Sequence, residues 1–138
     1  FDLWLDDYPS IEPSDRLPGS NPDNDQRTNL VEYGLGGIPD VSESHYVFKL
    51  LSELVFEESQ MYTEFRYPRR KDADFRGLDY EFQVSENLST ESWYVPGYYI
   101  IEISPIDSFF EEVHLRLDQP AESTGSRLFG RLKIYLNE

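Results

Sequence analysis

An antiparallel β-sandwich is the fold class that this sequence predicts, and three features predict it. Apolar and polar residues alternate with a period of two through four segments after residue 60. Clusters of Gly, Pro, Asp and Ser divide the apolar segments at strand-length intervals. No long helical pattern lies between them, so the crossover helices of a parallel sheet are missing.

Taken in chain order, Phe1, Leu3, Trp4, Leu5 and Tyr8 form a short apolar cluster, expected as a strand. Pro9, Pro13, Pro18 and Pro22 then keep the chain out of long helices. One short helix is expected over 28–35, stopped by Gly36-Gly37 with Pro39 beyond. Strong strand patterns cover 61–67, 79–85, 109–117 and 128–136. In the first, Met61, Thr63, Phe65 and Tyr67 face one way and Tyr62, Glu64 and Arg66 the other. Weaker candidates cover 46–50, 54–57 and 98–103, and turns are expected over 71–77, 95–97 and 119–125. The resulting organisation is an N-terminal apolar segment (1–13), a polar loop with a short helix (14–44) and the sandwich (45–138).

The 138 residues carry 12 Lys plus Arg against 27 Asp plus Glu, a net charge of −15. That charge repels a phosphate backbone, so nucleic acid is excluded as a general partner. No apolar run is long enough to span a bilayer as a helix, so no membrane insertion is expected, and no signal peptide is read. The absence of Cys removes disulfides, thiol nucleophiles and thiolate metal sites, and only two His, His45 and His114, are present. Aromatic residues make up 15%, enough for a core and some surface besides.

The segment from Asn21 to Glu32 carries the most chemistry. Oxygen-bearing side chains stand at positions 1, 3, 5, 9 and 12 of a twelve-residue loop: Asn21, Asp23, Asp25, Asn29 and Glu32. This is the calcium-loop spacing of an EF-hand. A tight loop turns positions 1, 3 and 5 inward, the Arg27 carbonyl adds position 7, and Glu32, one helical turn on, closes the shell with two oxygens. Position 6 is Gln26 rather than the usual Gly, and a left-handed non-Gly residue there costs on the order of 1 kcal/mol. Asn21 at position 1 gives up one charge. The alternative is a polar, capped entry to the helix. The number of matched positions favours Ca2+.

The prolines forbid a helix before this loop, so it resembles the half EF-hands of dockerins and thrombospondin type 3 repeats. The run from Asn21 to Pro39, with Thr28-Asn29-Leu30-Val31-Glu32-Tyr33-Gly34-Leu35-Gly36, resembles a segment common in large secreted bacterial proteins. There a C-terminal β-sandwich follows. The stretch from Phe65 to Trp93 and the run Arg127-Leu128-Phe129-Gly130-Arg131-Leu132-Lys133-Ile134 resemble that sandwich as well. The resemblance covers about 14–136 and implies an immunoglobulin/fibronectin III-like sandwich behind a calcium loop. It implies an architecture rather than a particular activity.

No catalytic site is expected. His114 falls on the polar face of a strand without a nucleophile motif. Glu57-Glu58 and Glu111-Glu112 are adjacent strand residues that point to opposite faces, so they read as solvated edge carboxylates. Asp107 and Glu102 have no supporting partners in the pattern. Arg66, Arg69, Arg70, Lys71 and Arg76, set against Asp72 and Asp74, form a local basic run. Arg69 and Arg70 are candidates for a sulfate or carboxylate on a glycan, against the plainer reading of a turn paired with acidic neighbours. Trp93, Tyr94 and Tyr98 surround the Pro96-Gly97 turn and are candidates for sugar stacking, while Tyr99 is expected in the core. Asn87-Leu88-Ser89 matches a glycosylation sequon.

The sequence therefore points to a non-catalytic, calcium-stabilised module, secreted or on a bacterial cell surface, most compatible with polysaccharide binding. The alternative is a structural or filament subunit that meets a neighbouring subunit or domain through its N-terminal strand.

Overall fold

A computed structural model describes residues 1–24, 27–39, 50–121 and 128–137. The protein is mainly β and its strands pair antiparallel throughout. Among the described residues, six strands follow two short α-helices: α1 (Asp2–Leu5), α2 (Asn29–Leu35), β1 (Leu51–Glu57), β2 (Gln60–Arg70), β3 (Leu78–Ser85), β4 (Tyr98–Pro105), β5 (Phe110–Pro120) and β6 (Phe129–Leu136). One sheet has the order β1-β2-β5-β4 and the other pairs β3 with β6. Of the weaker strand candidates, 54–57 extends to become β1 and 98–103 becomes β4. The candidate 46–50 lies outside the described residues except for Leu50, which is not in a strand.

The period-two pattern puts one side of each central strand into a shared apolar cluster. Phe65 and Tyr67 come from β2, Phe82 and Val84 from β3, and Val113, Leu115 and Leu117 from β5. The register sets Phe65 beside Leu115 and Tyr67 beside Val113, so these pairs share a face. Burying each such side chain stabilises the fold by about 1.5–3 kcal/mol. Burial also pushes the Tyr67 hydroxyl pKa up to about 12.

The opposite face of the larger sheet holds ion pairs rather than open water. Glu64, only 3% exposed, takes hydrogen bonds from Arg116 Nε (2.8 Å) and Nη2 (2.6 Å) and meets His114 Nε2 at 2.5 Å. Arg116 also reaches Glu57 at 2.6 Å. Glu112, expected to be merely solvated, pairs on this face with Arg66 at 3.0 Å, and Glu111, expected the same, pairs on the other face with Arg69 at 2.6 Å. Cross-strand register makes these pairs, which no single-strand pattern can show.

Residues 1–8 are a second correction. The expected strand is instead α1, a single helical turn. Phe1, Trp4, Leu5 and Tyr8 are spaced one, four, five and eight, the repeat of one helix face. That face folds onto its own chain: the Trp4 ring lies 5.1 Å from Tyr33 and Phe1 5.6 Å from it, with Leu5 buried. A second cluster results, with Tyr33, Ala73 and Leu78 buried and Phe1, Trp4, Ile134 and Leu136 packed around them.

Candidate functional site

The loop from Asn21 enters α2 through a capped turn. Asn24 N donates to the Asn21 carbonyl (3.2 Å), and Asn24 itself has φ 59°, a left-handed value that Asn tolerates well. Thr28 is the N-cap of α2 and accepts from Val31 N at 3.5 Å. Position 6, where the sequence led one to expect positive φ, is Gln26; with Asp25 it lies outside the described residues.

The remaining loop positions turn their oxygens away from water. Asn21 Oδ1, Asp23 Oδ2, Asn29 Oδ1 and both Glu32 carboxylate oxygens are buried. Asn29 and Glu32 are 0% exposed and Arg27, at position 7, is 6% exposed. Asn29 fixes its own orientation. Its Nδ2 donates to the carbonyls of Asp15 (2.8 Å) and Leu17 (3.0 Å), which uses both amide hydrogens. The amide must then present Oδ1 to the other side, where this buried oxygen has no hydrogen-bond donor. An acceptor placed so is suited to a cation.

The C-terminal end of α2 closes over Glu32. Gly36 N and Gly37 N donate to the Glu32 carbonyl at 2.7 and 2.8 Å, and Gly36 has φ 90°, the left-handed stop that Gly supplies. A Cβ on Gly37 would lie 2.8 Å from Glu32 Cγ and 3.1 Å from its Oε1. The helix is tied to the sheets through three polar contacts: Arg70 Nε donates to the Tyr33 carbonyl (2.6 Å), Tyr80 Oη to the Gly34 carbonyl (2.6 Å), and Arg76 Nη1 to Tyr33 Oη (2.8 Å).

The two groups of glycan candidates are not brought together. Arg70 pairs in register with Phe110 and Tyr98 with Leu117, at opposite ends of β5. Seven residues of strand separate them by about 23 Å. Tyr98 packs on Phe82 edge to face (6.0 Å) and belongs to the apolar core. Trp93 lies under the Arg131 guanidinium (4.4 Å), and Tyr94 bridges to Val84 while remaining 46% exposed. Tyr99, expected in the core, is 48% exposed because it alternates with core-facing Tyr98 on an edge strand and sits opposite Arg116. Arg69 is held by Glu111.

Two other groupings have structural roles. Glu53, Glu64 and His114 offer ligand atoms within 4.8 Å of one another, but Arg116 already neutralises Glu64. Burial works against ionisation of Glu64, yet the hydrogen bonds from Arg116 and His114 outweigh it and hold the carboxyl below its ordinary value. Asp107 accepts from Phe109 N (2.7 Å) and Phe110 N (2.8 Å), which lowers its pKa and caps the turn into β5. His45 lies outside the described residues. The helix end around Tyr33 and Arg70 went unread in the sequence, where the only hint was an aromatic within the helix pattern.

The chain matches no known protein family, no curated protein and no solved structure.

Proposed function

We propose that this chain is a non-catalytic extracellular module, stabilised by one calcium ion and binding polysaccharide. Asn21, Asp23, Asp25, the Arg27 carbonyl, Asn29 and Glu32 would hold the ion. The observation that carries the reading is the convergence of burial with spacing. The side-chain oxygens described at positions 1, 3, 9 and 12 are buried, and Asn29 aims an acceptor with no donor into the loop. In the same loop buried Glu32 adds a carboxylate, and oxygens gathered in this way need positive charge. A hard, oxygen-seeking cation meets that need, and millimolar extracellular calcium fills even a weak site.

The strand orders β1-β2-β5-β4 and β3-β6 support reading the sheets as a sandwich of the immunoglobulin/fibronectin III type. In that plan strands A, B, E and D form one sheet, and C and F belong to the other. The competing reading, assembly through the N-terminal segment, draws no support from residues 1–8, whose rings stack on Tyr33 of the same chain.

Calcium stabilises the folded form by RT ln(1 + [L]/Kd), about 2.7 kcal/mol at a hundredfold excess over Kd. Chelator is expected to lower the melting temperature of calcium-loaded protein, and Glu32→Ala to abolish that response. An unchanged melting curve, on protein that elemental analysis finds loaded at the start, refutes the site.

A further inference from the structure

A cleft of about 570 Å³ opens between α1, the turn after α2 and the start of β5. Its walls include Trp4, Tyr8, Phe109 and Arg70, with Asp7 at the rim. The size suits one or two sugar rings, within the usual range for small-ligand sites. Phe109 is 64% exposed although apolar, and its neighbour Phe110 is buried.

Arg70 is the unusual member. It is 7% exposed, and its guanidinium lies over the rings of Tyr33 (4.3 Å) and Phe110 (4.9 Å). Its Nε is satisfied by the Tyr33 carbonyl, but Arg70 makes no ion pair among the described residues. Every other Arg of the basic run, Arg66, Arg69 and Arg76, has a carboxylate partner. Burial disfavours the charged form of Arg70, and a guanidinium always stays charged in proteins. A buried, ring-flanked guanidinium with terminal N–H groups to spare is a two-pronged donor to a carboxylate.

We propose that this cleft binds a single carboxylate-bearing sugar residue, such as a uronate, on an otherwise largely neutral glycan. Arg70 takes the carboxylate, Phe109 and Trp4 offer ring faces to the sugar, and Asp7 accepts from a hydroxyl. The net charge of −15 selects against a dense polyanion, while one carboxylate meets one Arg. The proposal rests on the polysaccharide-binding reading and moves its site from the Trp93 turn to the opposite end of the molecule.

The test is titration calorimetry of the calcium-saturated chain. The probes are xylo-oligosaccharides bearing one glucuronate, and the same oligosaccharides after reduction of the carboxyl to an alcohol. The acidic form is expected to bind, and reduction to weaken it about tenfold or more. Arg70→Lys keeps the charge but loses the fork, and Phe109→Ala removes an exposed ring that the fold does not need. Arg70→Lys is expected to weaken the acidic form by about tenfold and leave any residual affinity for the reduced form unchanged, whereas Phe109→Ala is expected to weaken both forms. Equal binding of both forms overturns the proposal. So does wild-type affinity in Phe109→Ala, or an acidic peptide binding as well as the sugar. Melting the same samples with chelator separates the two readings. If the sugar binds and chelator has no effect, the cleft stands and the calcium site falls. If chelator lowers the melting temperature and no oligosaccharide binds, the cleft falls alone.

Discussion

At the scale of single residues, two buried glutamates show how differently one side chain can be stabilised. Glu64 has protein partners, Arg116 and His114, at hydrogen-bond distance. Its folded pKa is depressed, so its contribution is fully present above the unfolded value, near 4.5, and is lost as pH falls through the lower folded value. Glu64→Gln is expected to flatten the acid limb of the stability curve below about pH 4.5, measured by denaturant melts from pH 3 to 7. The loss at neutral pH should be about 1–2 kcal/mol, because Glu57, half exposed, still pairs with Arg116 and water screens that edge. Glu32 differs. In the proposed site its charge answers a cation, so Glu32→Gln should change sign with calcium. In chelator the variant should melt at or above wild type, since a neutral amide costs less to bury than a carboxylate. In millimolar calcium it should melt below wild type. A variant less stable in both conditions by the same amount would contradict the assignment.

At the scale of elements, α2 is too short to be stable alone, and its seven residues depend on what they dock against. The Gly36-Gly37 end connects the helix stop to Glu32. Ala at Gly36 would have to adopt the left-handed backbone, φ 90°, and should cost about 1 kcal/mol, with or without calcium. Ala at Gly37 places a Cβ 2.8 Å from Glu32 Cγ and must push that side chain. Its cost should therefore be larger in calcium than in chelator. Thermal melts of both variants in both conditions give the comparison, and equal behaviour of the two would dissociate Gly37 from the loop.

At the scale of the whole molecule, a four-stranded sheet shares its apolar cluster with a two-stranded one, and two strands supply too little apolar surface to cover four. Leu54 and Phe56 on β1 are 62% and 68% exposed, and Ile100, Ile101 and Ile103 on β4 are each more than 40% exposed. Edge strands of this kind invite pairing with other chains, and β4 has only Glu102 and the terminal Pro105 among its eight residues to discourage it. Ile101→Lys is expected to lower self-association at high protein concentration in light scattering, while stability changes by less than about 0.5 kcal/mol. Unaltered scattering would place any association elsewhere.

The sequence by itself determined the strands and the loop. Alternation in β2, β3, β5 and β6 is local, because burying one face of a strand demands a period of two. The spacing of oxygen-bearing side chains from Asn21 to Glu32 is local as well, because it lies within twelve contiguous residues. The helix in residues 1–8 was also legible, in the spacing of Phe1, Trp4, Leu5 and Tyr8, although a strand was expected there. What only the tertiary structure decided are the meetings of distant residues. Register across β2 and β5 paired Glu64 with Arg116 and Arg69 with Glu111, and set the basic run and the Trp93 turn at opposite ends of a strand. Docking of α1 and α2 buried Arg70 against Tyr33 and Phe110 and opened the cleft beside it. Each of those contacts joins residues tens of positions apart. Their partners are fixed by sheet order and helix docking, and no local pattern in the chain encodes either.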